Sequence, residues 1–451
     1  MPAGINLPVS AQYTALVVAL LVLAWAESAH SQTALSRILG VGPPPVEANS
    51  LLRDAAVSPD GGHILFTTSA TNVASVFSVA LNVYRYDVIS GAIEIVSRNA
   101  TTGVAADGNC FLPSASTDGR FVVFESLAAN LGPTGSALNI YRADMATGAI
   151  VRASQSQSGT EGNDQSRFPA VSGSGRFAVF QSFANNLVAV DNNSRADIFL
   201  TDIDTGAVEV ISRDATGAFA NDNAGALTNQ AISTDARYVV FPSLSANMVT
   251  NVAGGIQQIY LRDRVNATTS LVSQSVSAVP GGSQSDQAAI SSNGRFIVFR
   301  SFANNLIVGA TSRLFILDRQ TSVLAAVPLP LGSAFSPPLS ASALSCRSPR
   351  VADSGDVVMI CDMAAPTPAQ AILWKRSSAG QLELLSHAAG SASTFGNVLS
   401  GSLVGISSAG STITFESQAG NLVTGDGNSV ADVFYRAPAV PPGSLFSNGF
   451  E

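Results

Sequence analysis

The sequence predicts an all-β fold, a seven-bladed β-propeller of four-stranded antiparallel blades in which an N-terminal strand closes the last blade. Three observations predict it. First, the eleven-residue pattern STDGRFVVFES, Ser116 to Ser126, joins a tight turn to a short apolar run. It returns as SPDGGHILFTT, SGSGRFAVFQS, STDARYVVFPS and SSNGRFIVFRS, and more loosely as ADSGDVVMICD and SSAGSTITFES. The copies begin at 58, 116, 172, 233, 291, 352 and 407, a period of 55 to 61 residues. Such a period marks units that bury their apolar faces against one another. Second, a further apolar segment, NIYRAD from Asn139, recurs at Asn82, Asp197, Gln258, Arg313 and Asp432. Third, AIVRAS from Ala149 recurs at Ala92, Ala207 and Thr269, so each unit holds four short β-rich stretches.

The chain opens with an apolar run of 11 residues, Ala15 to Trp25. A bilayer span takes about 20 residues. This length fits the core of a secretory signal, and Ala24 with Ala26, or Ala29 with Ser31, supplies an A-x-A-like cleavage site. A signal peptide is expected over residues 1–26, with cleavage as late as 31, and with it a secreted or periplasmic protein. Residues 33–39, TALSRIL, read like the fourth strand ending in -SR and are expected to complete the last blade. Arg37 lies 21 residues before Ser58, whereas Arg98 lies 18 before Ser116. The propeller is expected over 33–437, followed by a tail over 438–451.

Within the second unit, strand a is read at Pro113 to Ser116, and Asp118-Gly119 forms the hairpin turn. Strand b is read at Phe121 to Phe124, strand c at Asn139 to Asp144 and strand d at Ala149 to Ser154. The residue closing the strand-b pattern, Phe66, Phe124, Phe180, Phe241, Phe299 and Phe415, with Ile360 in the sixth unit, is expected in the core. Arg120, Arg176, Arg237 and Arg295 open strand b; Asp144, Asp202, Asp263 and Asp318 close strand c. Antiparallel neighbours place these ends side by side, which predicts a cross-strand ion pair in each blade. In the sixth unit the signs are exchanged, Asp356 for the arginine and Arg376 for the aspartate. Of Cys110, Cys346 and Cys361, the last two flank one hairpin; a disulfide and two buried thiols are both compatible with that spacing. His63 replaces an aromatic of strand b and is expected to be buried.

With these motifs in hand, the chain resembles the TolB-like, WD-repeat-like propellers of bacterial exported proteins. The resemblance covers the seven repeats and implies the propeller fold and export. TolB itself has an extra N-terminal domain and six blades, so its partnership with a peptidoglycan-associated lipoprotein is not carried over. The terminal FSNGFE is similar to short tags on some exported proteobacterial proteins.

A net charge of −8 argues against nucleic acid, which is bound by lysines and arginines on its phosphates. No G-x-S-x-G elbow, P-loop, dinucleotide fingerprint or paired-histidine metal motif is present, and no cofactor is expected. Strand parity puts the long b–c and d–a loops on one rim. Their Asp107, Asn109, Asn163, Asp164, Asp222, Asn223 and Asp286 are the candidate partner-binding residues, set against their ordinary use as loop formers. Two b–c loops carry D-x-N-x-x-x-D, Asp191, Asn193, Asp197 and Asp426, Asn428, Asp432, a spacing of oxygens that would suit calcium if they were not simple Asx turns. The apolar stretch Val327 to Ser345, with Phe335, and the later Trp374 are expected either at a partner surface or as a plug over the channel. The expectation is a monomeric, non-catalytic propeller without a transmembrane span, binding a protein, peptide or glycan. The alternatives are a hydrolase or lyase using channel-mouth carboxylates, and a structural or surface-display module.

Overall fold

The structure, a computed structural model, describes residues 35–39, 46–132, 137–331, 333, 342–378, 380–398 and 400–438. The expected signal segment, residues 33–34, Phe335 with most of its loop, and the tail beyond 438 lie outside the described residues. Seven antiparallel sheets follow one another along the chain, six with four strands and one with three. In blade 2 the strands are Cys110–Ala115, Phe121–Ser126, Asn139–Asp144 and Ile150–Arg152. Strand a thus starts three residues earlier than the sequence suggests, because it runs through a β-bulge between Phe111 and Ser114.

Seven hydrophobic cores lie between consecutive blades. One joins Leu65 and Val83 of blade 1 to Phe124 of blade 2; another joins Tyr435 of blade 7 to Phe66 of blade 1, and the circle is closed. In six blades the strand-b phenylalanine stacks on a strand-c aromatic, as Phe124 does on Tyr141 with centroids 6.1 Å apart. Each sheet hides two apolar faces only because a neighbour stands on either side.

Blade 7 consists of Ser400–Ile406, Ile413–Ser417, Asp432–Arg436 and the N-terminal Ser36–Arg37, which pairs antiparallel with the third strand. The N-terminal strand closes the ring, but three residues out of the register implied by its -SR ending. Ile38 N donates to Val433 O as Val96 N donates to Val83 O, so Ile38, not Leu35, is the counterpart of Val96. That offset accounts for the spacings of 21 and 18. Arg37 therefore points where blade 1 has Ile95, and its guanidinium meets Glu47, Asp426 and Asp432 at 3.1, 2.9 and 3.2 Å.

The structure brings Arg120 to Asp144, Arg176 to Asp202, Arg237 to Asp263 and Arg295 to Asp318, each as a two-pronged pair at 2.6–3.0 Å. The guanidiniums hold these four carboxyls below the usual carboxylate range. Blade 6 corrects the sequence reading. Its a–b turn is one residue shorter: Ala352 N donates to Asp356 O, where Ser116 N donates to Phe121 O. No residue stands in the arginine position, Asp356 takes the place of the aromatic, and Met359, not Ile360, takes that of the core phenylalanine opposite Ile372. Asp356 binds Ser377 instead of Arg376. Arg376 follows the strand, as Arg264 and Arg319 do, and stacks on Phe296 of blade 5 beside Asp318. Arg264 and Arg319 lie likewise on Phe177 and Tyr238 of their preceding blades. Cys346 and Cys361 are directly opposed across strands a and b and form a disulfide; Cys110 is a buried thiol. His63 is half-buried at the head of strand b, facing Asp87.

Candidate functional site

The short-turn rim is sewn shut. Asp60 N donates to Thr117 O, Thr117 N to Gly173 O, Gly173 N to Thr234 O and Thr234 N to Ser292 O, at 2.8–3.0 Å. Asn293 N then donates to the Asp353 carboxylate at 2.8 Å, Asp353 N to Ser408 O, and Ser408 N to Pro59 O. Each blade is thereby tied to the next around the axis. The contact is closest at Gly173, where a Cβ would fall 2.1 Å from Thr234 Cγ2.

A second barrier lies farther in. Blade 4 has no regular inner strand, and its sheet holds three strands. The segment that would form the fourth crosses the axis instead. Gln230 Oε1 accepts from Val351 N of blade 6, and its Nε2 donates to Ile406 O of blade 7. Asn229 O accepts from Ser114 Oγ of blade 2, and Asn229 Oδ1 accepts from Arg350 Nε at 2.6 Å. Thr228 Oγ1 donates to Ala288 O of blade 5. Between this crossing segment and the sewn rim lies a cavity of about 40 Å³.

On the other side of the floor is a cup of about 370 Å³, lined by residues of all seven blades and opening at the long-loop face. Its wall is shaped by the bulges of the inner strands. Asp54, Leu112, Phe168, Gln287 and Ser348, at one position in five blades, have φ of 50–56°. That left-handed conformation is costly for leucine and phenylalanine, and it turns each side chain toward the axis. Groups from the preceding blade hold the bulged backbone: Phe168 N donates to Glu125 Oε2, Ala55 N to Glu416 Oε1 and Ser348 N to Gln287 Oε1, at 2.8–3.0 Å. Burial raises the carboxyls of Glu125 and Glu416, the latter to about 7. A shallower depression of about 780 Å³ continues from the cup over blades 1–3, lined by Arg53, Asp54, Leu127, Asp164 and Arg167 among others.

The candidate loop residues lie on this face, and most are engaged by adjoining loops. Asp107 caps Ala129 N and Asn130 N; Asn109 accepts from Leu81 N; Asn163 exchanges bonds with Asn185. Asp164 accepts from Gln165 N, Asp222 from Asn223 N and Asn223 from Ala196 N. Asp286 lines the cup and is gripped by both prongs of Arg300. Trp374 is 7% exposed inside the core between blades 5 and 6, which removes it from the candidates. Its strand is central in its sheet, and the ring lies on the inward side. Val327, at the start of the apolar stretch, is packed in that same core, and the barrier in the channel comes from blade 4.

The sequence reading missed a clasp. Asn72, Asn130, Asn186, Asn247, Asn305 and Asn421 of the b–c loops each donate to a carbonyl of the adjoining d–a loop and accept from an N–H two residues farther on. The recurrence in SLAANL, SFANNL and SLSANM carried that signal. It also missed Leu127, Phe183 and Phe302, which stand at one repeat position after strand b and are 54, 44 and 44% exposed. In the two D-x-N-x-x-x-D loops, the cation among Asp426 and Asp432 is Arg37, while Asn193 binds Asp197 directly at 2.7 Å. Burial raises Asp197 and Asp432 to about 6.

No family model matches the chain, and no curated protein sequence is significantly similar to it. Solved structures do share its architecture. An oligogalacturonate lyase from Vibrio parahaemolyticus is 14% identical over 91% of this chain and 94% of its own, with a TM-score of 0.51. The propeller domain of the Trilobed protease from Pyrococcus furiosus is 10% identical over 86% and 96%, with a TM-score of 0.50. TolB from Acinetobacter baumannii is 16% identical over 72% of this chain and 64% of its own, with a TM-score of 0.41. At these identities the likeness is one of fold. No described helix is long and apolar enough to cross a membrane.

Proposed function

We propose that this chain is an exported, non-catalytic propeller that binds a protein, peptide or glycan at its long-loop face, with part of the partner seated in the axial cup. The observation that carries this reading is the one-sided channel: the turn rim is tied blade to blade, and the cup opens only among the long loops. Leu127, which lines the depression beside the cup, and Phe183 and Phe302 at the same repeat position add exposed apolar area at the long-loop ends of their strands. The buried carboxylates Glu125 and Glu416 behind the cup wall are occupied in holding bulged backbone, which favours binding over acid–base chemistry. The Cys346–Cys361 disulfide suits an oxidising, secreted or periplasmic setting.

A pull-down from periplasm and culture medium tests it. The protein is compared with a variant carrying Leu127→Ser, Phe183→Ser and Phe302→Ser, three exposed changes that leave the cores intact. The expected outcome is a partner retained by the parent and lost by the variant. A partner held equally by both would place binding elsewhere.

A further inference from the structure

We propose that Arg350 is a carboxylate anchor on the floor of the cup, and that the ligand it receives is the C-terminal end of a peptide chain. The proposal rests on the reading of the long-loop face as the binding face and names the chemistry of its occupant. Arg350 is 4% exposed, and it lines both the cup and the small cavity beneath. Its Nε donates to Asn229 Oδ1 at 2.6 Å and its Nη1 to Pro349 O at 2.9 Å. Both partners are neutral, and they use two of the five donors of a guanidinium. Among the described residues, no carboxylate lies within ion-pair distance of it.

Two other arginines with buried side chains are matched by carboxylates. Arg37 meets three carboxylates, and Arg152 meets Glu161 at 2.7 Å. Arg262 also has only neutral hydrogen-bond partners, but it lies between blades and lines neither axial cavity. A buried cation without a counter-ion is costly, and burial alone pushes the Arg350 guanidinium down to about 10. The fold keeps this charge at the end of a cup, held in place by a strong bond to the crossing segment. An entering carboxylate would supply the missing charge, through a planar pairing for which a guanidinium is suited.

The walls restrict what carries that carboxylate. Leu112, Pro113, Phe168, Pro169, Leu227 and Leu403 line much of the cup above the charged floor; of the two wall carboxylates, Asp286 is paired with Arg300 and Asp54 accepts from Thr67 Oγ1. A volume of about 370 Å³ is at the small end of ligand pockets, roughly 300–1,000 Å³. The blind floor admits an end, not a strand running through. A chain end with one negative charge and an apolar side chain matches floor and wall together.

The test uses the mature protein with ¹⁵N-arginine and a defined probe, an equimolar pool of N-acetylated tripeptides ending in Leu, Phe or Ala. The pool is supplied once with free carboxylates and once as C-terminal amides. The expected result is binding at least tenfold tighter for the acids, with a shift of the Arg350 Nε–H resonance, identified by its loss in Arg350→Met. Arg350→Met should lose the preference for acids while unfolding at no lower urea than the parent, since an unpaired buried charge has gone. Arg350→Lys should keep part of the preference, which separates charge from folding. Equal binding of acids and amides, or no binding of the acids, overturns the proposal. If that happens while the Leu127, Phe183, Phe302 variant still loses its partner in the pull-down, the long-loop face stands and only the carboxylate anchor falls.

Discussion

Glu416 sits at the seam between blades 7 and 1, almost wholly buried, its Oε1 accepting from Ala55 N. Burial raises its carboxyl to about 7, so the folded chain keeps this proton where the unfolded chain, near 4.3, has lost it. Its stabilisation is full below the unfolded value and is lost as pH rises through about 7. Asp144, Asp202, Asp263 and Asp318 act in the opposite sense: their carboxyls are depressed, and their stabilisation disappears as pH falls below the usual carboxylate range. Stability is thus expected to peak in mildly acid solution. Glu416→Gln retains the acceptor and matches Gln181, its counterpart in blade 3. Urea unfolding should show it more stable than the parent at pH 8 by about 2–3 kcal/mol, with the difference gone below about pH 4. A parallel pH dependence in both proteins would contradict this assignment. The role of Glu416 was illegible in the sequence. The residue after the strand-b phenylalanine changes from Thr67 to Glu125 to Arg300 around the ring, and what covers it belongs to the next blade.

At the scale of elements, strands were readable wherever apolar alternation repeated, and strand c of blade 2 falls at Asn139–Asp144 as expected. Registers were harder, because a shift leaves the apolar count intact. The -SR ending drew the closing strand three residues away from its true pairing, and a one-residue deletion in the blade 6 turn moved Met359 into the place given to Ile360. Pairing partners, not local composition, decide such cases. The corrected register gives Arg37 its weight: it is the cation among Glu47, Asp426 and Asp432 where the chain's first and last described segments meet. Replacing it leaves two largely buried aspartates unpaired. Arg37→Met should therefore cost about 3 kcal/mol in urea unfolding at pH 7. A loss under about 0.5 kcal/mol, the range of a surface substitution, would show that the latch does not hold the ring.

For the molecule as a whole, the ring and its seven members follow from the repeat, while the shape of the channel does not. The long-loop rim could be assigned from strand parity. The blind floor could not, because Asn229 and Gln230 occupy an ordinary position in their repeat and differ only in leaving the wall to reach blades 2, 6 and 7. The loop acids were visible, but their use in clasping neighbouring loops depends on contacts between segments some 22 residues apart, such as Asp107 with Ala129. Thiol labelling of two single substitutions, Thr228→Cys in the cup and Ile232→Cys beneath its floor, tests the one-sided channel most directly. With Cys110 buried and the other two cysteines bonded, a bulky maleimide should modify the native protein at residue 228 and reach residue 232 only after unfolding. Equal native labelling at the two positions would mean that the channel is open from end to end, and the account would fail.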